Sequence, residues 1–185
     1  NVLENSNKYL NHLLEQVNQL TQKALGLDNK VELEKAPVII GSFKDILNYR
    51  LYVQNLSNFV KQLEKNNESN LINEVLNNAS KLDKKIIDGI TYVVTNDLPQ
   101  PSLKPLIDVL YDKILTDGLV LINLTDEKQA ILVKTKQSSA KDLIQNILKQ
   151  TNGSGGGRPD FAQGGTQDIN ALNSFMKGNG LIWNI

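Results

Sequence analysis

The hydrophobic period of this 185-residue chain changes once, near residue 85, and that change constrains its fold more than any other feature. Before it, apolar residues recur at helical spacing. Leu3, Leu10, Val17 and Ala24 lie seven apart, and Leu13, Leu20 and Leu27 form a second seam whose one defect is Ser6. A 3.5-residue period keeps such a seam facing a partner helix. Gly26 and Asp28-Asn29 end this first helix. Pro37 excludes a helix interior nearby, and Val38 to Gly41 reads as a short extended piece. A second helix is expected from about Phe43 to Lys65, broken by Asn66-Asn67 and Ser69-Asn70, and a third from about Leu71 to Lys84.

After residue 85 the pattern turns β-branched. Ile86 to Thr95 reads as a strand. Ser102 can cap a helix reaching about Leu115, with Pro105 tolerated in its first turn. Residues 118–124 and 129–135 read as strands, and their short connection implies an antiparallel hairpin. Ser139 and Asp142 resemble a capping box for a helix to about Gln150, stopped at Asn152-Gly153. A last helix starts at Thr166 or Asp168, and the apolar 181–185 is expected to dock on the body. The expected fold is α+β: an antiparallel, coiled-coil-like helical subdomain over residues 1–85, then a small mixed sheet covered by helices over 86–185.

Aromatics are only 5% of the chain, so the core must be largely aliphatic. There is no cysteine, which excludes disulfides, thiolate metal sites and cysteine nucleophiles. The sole histidine, His12, lies in the heptad helix and cannot anchor a zinc site alone. No apolar run approaches the roughly 20 residues of a membrane span, so a cytoplasmic location is expected. The chain begins at Asn1, which suggests a piece of a longer protein. Net charge is zero, but Lys134, Lys136, Lys141, Lys149 and Arg158 face only Asp142 between residues 134 and 158.

The chemistry concentrates in a glycine-rich loop, residues 153–165. Gly155, Gly156 and Gly157 bring backbone amides close to a ligand and can take positive φ, as in an anion-binding nest. Arg158 adds a forked donor for phosphate, Pro159 stiffens the exit, and Asp160 and Gln163 can pin the loop or accept from sugars and bases. Gly164 and Gly165 lead to a helix start that favours phosphate. A phosphate-binding P-loop would need Lys followed by Ser or Thr, where this chain has Arg158-Pro159.

The run GSGGGRPDFAQGGT closely resembles the glycine-rich signature near the end of alanyl-tRNA synthetases, with Phe161 where Met is common and Gly164 where Ala is common. SSAKDLIQNILKQ and LVLINLTDEKQAILVKT resemble the segments that precede it in that family. The resemblance implies a DHH-associated domain that is non-catalytic and holds the outer corner of alanine tRNA, where the D and T loops meet. It implies RNA contacts at Gly155, Gly156, Gly157, Arg158, Pro159, Asp160, Gln163, Gly164 and Gly165, with Lys134 and Lys136 beside them. It further implies a helical segment contributing to a homodimer, for which Leu3, Leu10, Leu13, Val17 and Leu20 are the candidates. Neither DNA nor a membrane is an expected partner, and no catalytic, metal or cofactor residue is expected here. ATP and zinc belong to parts of the parent ligase not in this chain. Two alternatives stay open: the substrate-binding domain of a DHH phosphoesterase, and a purely structural dimerisation module.

Overall fold

The structure, a computed structural model, describes residues 2–181 and, at Val2 and Leu3, the backbone alone. The apolar 182–185 lies outside the described residues, as does the side chain of Leu3. Contacts divide the chain into units of residues 1–70 and 71–185. Residues 71–82, grouped by the sequence with the helical half, fall with the sheet because Val75, Leu76, Ala79 and Leu82 pack into one of its cores.

In the first unit, α1 spans Val2–Leu27, and α2 begins at Phe43. Lys23 pairs with Glu64 at 2.8 Å, and the Asn67 amide donates to the Leu27 carbonyl at 3.0 Å. The near-constant offset means that both helices run in the same direction, not antiparallel as expected. Residues 28–42 form no strand at 38–41; they return along α2, where the Tyr49 and Tyr52 hydroxyls donate to the carbonyls of Pro37 and Glu34. Leu13 and Ala24 are buried and Leu10, Val17 and Leu20 half-buried, so this seam faces its own unit's interior.

The expected break at Asn66–Asn70 is absent: α2 is one helix, Phe43–Asn78. This stretch holds neither Gly nor Pro, and Asn and Ser cost only a few tenths of a kcal/mol each in a helix interior. Their side chains also stay within the helix, as Gln62 donates to Asn66 and Ser69 to the Lys65 carbonyl.

The second unit is a six-stranded mixed sheet between two helical layers. Its strands are β1 (Lys85–Ile87), β2 (Ile90–Asn96), β3 (Gly118–Leu124), β4 (Gln129–Thr135), β5 (Ser154–Gly157) and β6 (Phe161–Thr166), ordered β1-β2-β3-β4-β6-β5. Only β2–β3 is parallel, joined through α3 (Gln100–Tyr111). The single strand expected over 86–95 is instead a hairpin. Asp88 and Gly89 both take positive φ, as a two-residue turn of this type requires. Helix α3 starts two residues before Ser102, with Pro101 in its first turn, and ends at Tyr111; Pro105 therefore sits in the second turn. Ser102 instead donates to the Pro99 carbonyl at 2.6 Å.

Leu103, Leu106, Ile107 and Leu110 of α3 cover one face, packed on Val93, Leu119, Leu121 and Leu132. α4 (Ala140–Gln150) and α5 (Ile169–Gly178) cover the other, with Ile144, Ile147, Leu172 and Phe175 on Val120, Ile122, Ile131 and Ala162. Every residue of β3 is buried, so it is the sheet's centre. Each large aliphatic side chain buried there contributes about 1.5–3 kcal/mol. The sheet's edge strand β5 and its neighbour β6 carry the glycines. Among the described residues no helix is long and apolar enough to cross a membrane.

Candidate nucleic-acid interface

The glycine-rich segment is not a loop but the outermost hairpin of the sheet. Its glycines serve strand packing, not a positive-φ nest; the positive-φ glycines are Gly41, Gly89 and Gly180. A Cβ on Gly155 would lie 2.3 Å from Gly164 Cα, and one on Gly157 2.4 Å from Ala162 Cα. Only glycine lets β5 lie this close to β6. Strand β6 leads into α5 through an ordered cap, where the Asp168 carboxylate accepts from Ala171 N–H at 2.9 Å and from the Asn152 amide at 2.8 Å. Those two bonds, the Ala171 N–H first, hold the Asp168 carboxyl below its ordinary range.

The hairpin tip is Arg158-Pro159-Asp160. Its backbone is pinned: Pro159 O accepts from Ala140 N–H at 2.7 Å and from the Thr135 hydroxyl at 3.0 Å, while Asp160 O accepts from Thr135 N–H at 3.2 Å. The start of α4 and the end of β4 therefore fix where the tip sits. Its side chains point to solvent, with Arg158 3.3 Å from Asp160. A rigid backbone carrying an exposed guanidinium suits shape recognition of a phosphate surface, without a base-by-base code. Thr135 is in turn placed by the segment before α4, where Asp117 accepts from Gln137 and Ser138 N–H. The Ser138 hydroxyl first, then those amides, hold the Asp117 carboxyl below its ordinary range.

The other residues expected at the site are placed differently. Lys134 lies 2.5 Å from Asp108 and over the Tyr111 ring; Lys136 also lies over Tyr111 and donates to the Ile114 carbonyl. Both are thus engaged with α3 and the turn after it. Phe161 pairs across from Lys134 and packs, half-buried, on the α3 side, under Lys104 at 5.6 Å from the ring centroid. Gln163, Gly164 and Gly165 line a groove with Ser154, Lys128 and Gln100. Gln163 is exposed, whereas Gly165 is buried against the Gln129 backbone.

One residue that the sequence did not single out for the site borders it. Gln145 donates its side-chain amide to Gly155 O at 3.0 Å. Lys141 lies one turn earlier on the same side of α4. The i, i+4 spacing was the available signal. Lys104, by contrast, comes from a distant helix with no local pattern pointing to it.

This α/β/α arrangement with a glycine hairpin on its edge is a DHHA1 domain; that family matches residues 88–178. The chain as a whole matches further. It is 43% identical over 177 residues to the alanine–tRNA ligase of Acholeplasma laidlawii (strain PG-8A), covering 96% of this chain and 21% of that protein. It is 29% identical over 167 residues to the alanine–tRNA ligase of Onion yellows phytoplasma (strain OY-M), covering 86% and 19%. Among solved structures it is similar to the C-Ala domain from Aquifex aeolicus alanyl-tRNA synthetase, at 22% identity and a TM-score of 0.43, over 53% of this chain and 98% of that one. The chain belongs to the alanyl-tRNA synthetase family, as a segment spanning about a fifth of the length of the curated relatives it matches.

Proposed function

We propose that this chain is the non-catalytic segment of a cytoplasmic alanine–tRNA ligase that holds the outer corner of alanine tRNA, where the D and T loops meet. It thereby helps present one tRNA to the charging and editing sites of the parent enzyme, whose ATP and zinc lie in other domains. The observation carrying this reading is the pinned tip at Pro159, which holds the exposed Arg158 at the rim of the glycine hairpin. Folded RNA is read mainly by shape and backbone, which suits such a rigid edge. The identity to alanine–tRNA ligases favours this reading over a phosphoesterase substrate domain. The test is to titrate the chain with alanine tRNA and with a variant whose D and T loops cannot meet. Tighter binding of the intact tRNA supports the reading; equal binding removes the corner as the target.

A second role, self-association, is favoured by an apolar surface elsewhere in the chain. Val38, Ile40, Phe43, Leu47 and Leu51 are all exposed, at 80%, 73%, 70%, 52% and 60%. Phe43, Leu47 and Leu51 are four apart on α2 and share one face. A patch of this kind marks an interaction surface, and we assign the dimer contact to it in place of the inward-facing seam of Leu10, Leu13, Val17 and Leu20. Sedimentation velocity of the chain at micromolar concentration tests the assignment.

A further inference from the structure

The charges of the first unit are unevenly matched. Glu32 and Glu34 on the returning segment and Lys44 on α2 are all exposed, and among the described residues none of the three has an ion-pair partner. Lys8 and Lys23, by contrast, are paired with Glu4 and Glu64. The two glutamates stand at the mouth of a pocket of about 160 Å³, floored by Leu33, Leu56, Phe59 and the Tyr52 ring, with Asn55 on its rim. The Tyr52 hydroxyl already donates to the Glu34 carbonyl at 2.7 Å. What the pocket offers is therefore apolar surface topped by two unpaired carboxylates. Pockets for drug-sized ligands begin at about 300 Å³, so this one is too small for a nucleotide, whereas a cavity of about 150 Å³ takes a benzene ring. It fits one ring with a cation beside it.

The same unit exposes such a group. Among the described residues, the exposed large apolar side chains include three aromatics: Tyr9, Phe43 and Phe59. Phe59 lines the pocket itself, and Tyr9 ends in a hydroxyl. Phe43 is 70% exposed and is followed directly by Lys44. It cannot fill the pocket of its own unit. Tyr52 lies nine residues further along the same helix, about 14 Å at about 1.5 Å per residue, and Leu56 and Phe59 lie further still. We infer that this pocket receives Phe43 of a second copy of this chain, and that Lys44 of the second copy meets Glu32 and Glu34 at the mouth. Each copy carries one knob and one socket, so two equivalent contacts close a two-fold pair. The exposed Leu47 and Leu51 are then covered between the copies. This deepens the self-association reading above and rests on it: the apolar face supplies the contact, and the pocket fixes its register.

The experiment is sedimentation velocity of the 185-residue chain over a range of concentrations. Phe43→Ala is expected to weaken dimerisation about tenfold or more, as the loss of a buried aromatic anchor does. Lys44→Glu in one variant, and Glu32→Lys with Glu34→Lys in another, each set like charges together at both contacts. Each is expected to weaken dimerisation about tenfold or more. Mixed in equal amounts, the two charge variants restore opposite charges at both contacts, and the mixture is expected to associate within about threefold of the unsubstituted chain. All four positions are exposed, so the thermal midpoint reports whether folding is intact. A dimer undiminished by Phe43→Ala, or a mixture no tighter than its two components, with Leu47→Glu still giving a monomer, would overturn the pocket contact and leave the broader reading standing. An unsubstituted chain that stays monomeric at high micromolar concentration would overturn both.

Discussion

The Arg158 guanidinium faces the Asp160 carboxylate at 3.3 Å across the hairpin turn, and both side chains are largely exposed. A pair this open contributes little to folding. Its consequence is for binding, because Asp160 partly neutralises the cation that would meet a phosphate. Arg158→Ala is therefore expected to weaken tRNA binding severalfold and flatten its salt dependence. Asp160→Asn is expected to tighten binding about two- to threefold, with unfolding curves unchanged in both variants. Opposite signs at these two positions, measured on the same tRNA, would establish the tip as a contact. Matching signs would count against it.

The glycines of β5 divide by what a methyl group would meet. On Gly157 it would strike backbone atoms of Ala162 and Phe161, whereas on Gly156 the nearest atom is Gln145 Nε2 at 4.0 Å. Gly157→Ala must push the two strands apart and is expected to destabilise the chain by about 1–3 kcal/mol. Gly156→Ala is expected to change stability by no more than about 0.5 kcal/mol. Urea unfolding of the two variants measures the contrast. An equal effect would mean that β5 is not held against β6 as the structure has it.

The same glycines mark where the sequence was legible and where it was not. The β3–β4 hairpin was readable to the residue, because two β-branched runs flank a four-residue polar turn. β5 was not, since Ser154 to Gly157 has no strand propensity of its own and is a strand only through its pairing with β6. The Asp88-Gly89 turn carried a local signal, but the surrounding β-branched residues read as one run across it. In the sequence α2 reads as two helices because Asn66, Asn67, Ser69 and Asn70 are weak helix formers, and burial of Leu56 and Val60 before them and of Val75 and Leu76 after them outweighs that weakness. At the site, Arg158 and the glycines were visible as a motif. Gln145 becomes a neighbour of the glycines only once α4 folds back along β5.

The carboxylates that anchor the site's surroundings predict its response to acid. Asp168 caps α5 and Asp117 orders the segment before α4, and hydrogen bonds hold both carboxyls below their ordinary range. A depressed pKa stabilises the folded state above the unfolded value, near 3.9, and that contribution is lost as pH falls through the folded value. The urea midpoint is therefore expected to be insensitive to Asp168 between about pH 5 and 7 and to drop below about pH 4. Asp168→Asn should lower the midpoint at neutral pH and make the acid limb shallower. An acid limb identical to that of the unsubstituted chain would show that the Ala171 and Asn152 bonds do not favour the charged form.

The exposed face of α2 supplies the last test. Leu47 lies between Phe43 and Leu51 at one-turn intervals, and more than half of its surface is open. Leu13, by contrast, is 4% exposed within the same unit. If Leu47 is at a contact between two copies, Leu47→Glu places a carboxylate in an apolar interface, where an unpaired charge is costly. The variant should sediment as a monomer at concentrations where the unsubstituted chain is a dimer. In the folded monomer the same glutamate is solvated, so the unfolding midpoint of the monomer should barely move. Leu13→Ala should do the reverse, lowering stability by about 2–5 kcal/mol through the cavity it leaves. It should shift the dimer equilibrium only as far as folding itself fails. An unsubstituted chain that stays monomeric at high micromolar concentration, or a dimer that survives Leu47→Glu, would remove this face from any self-association.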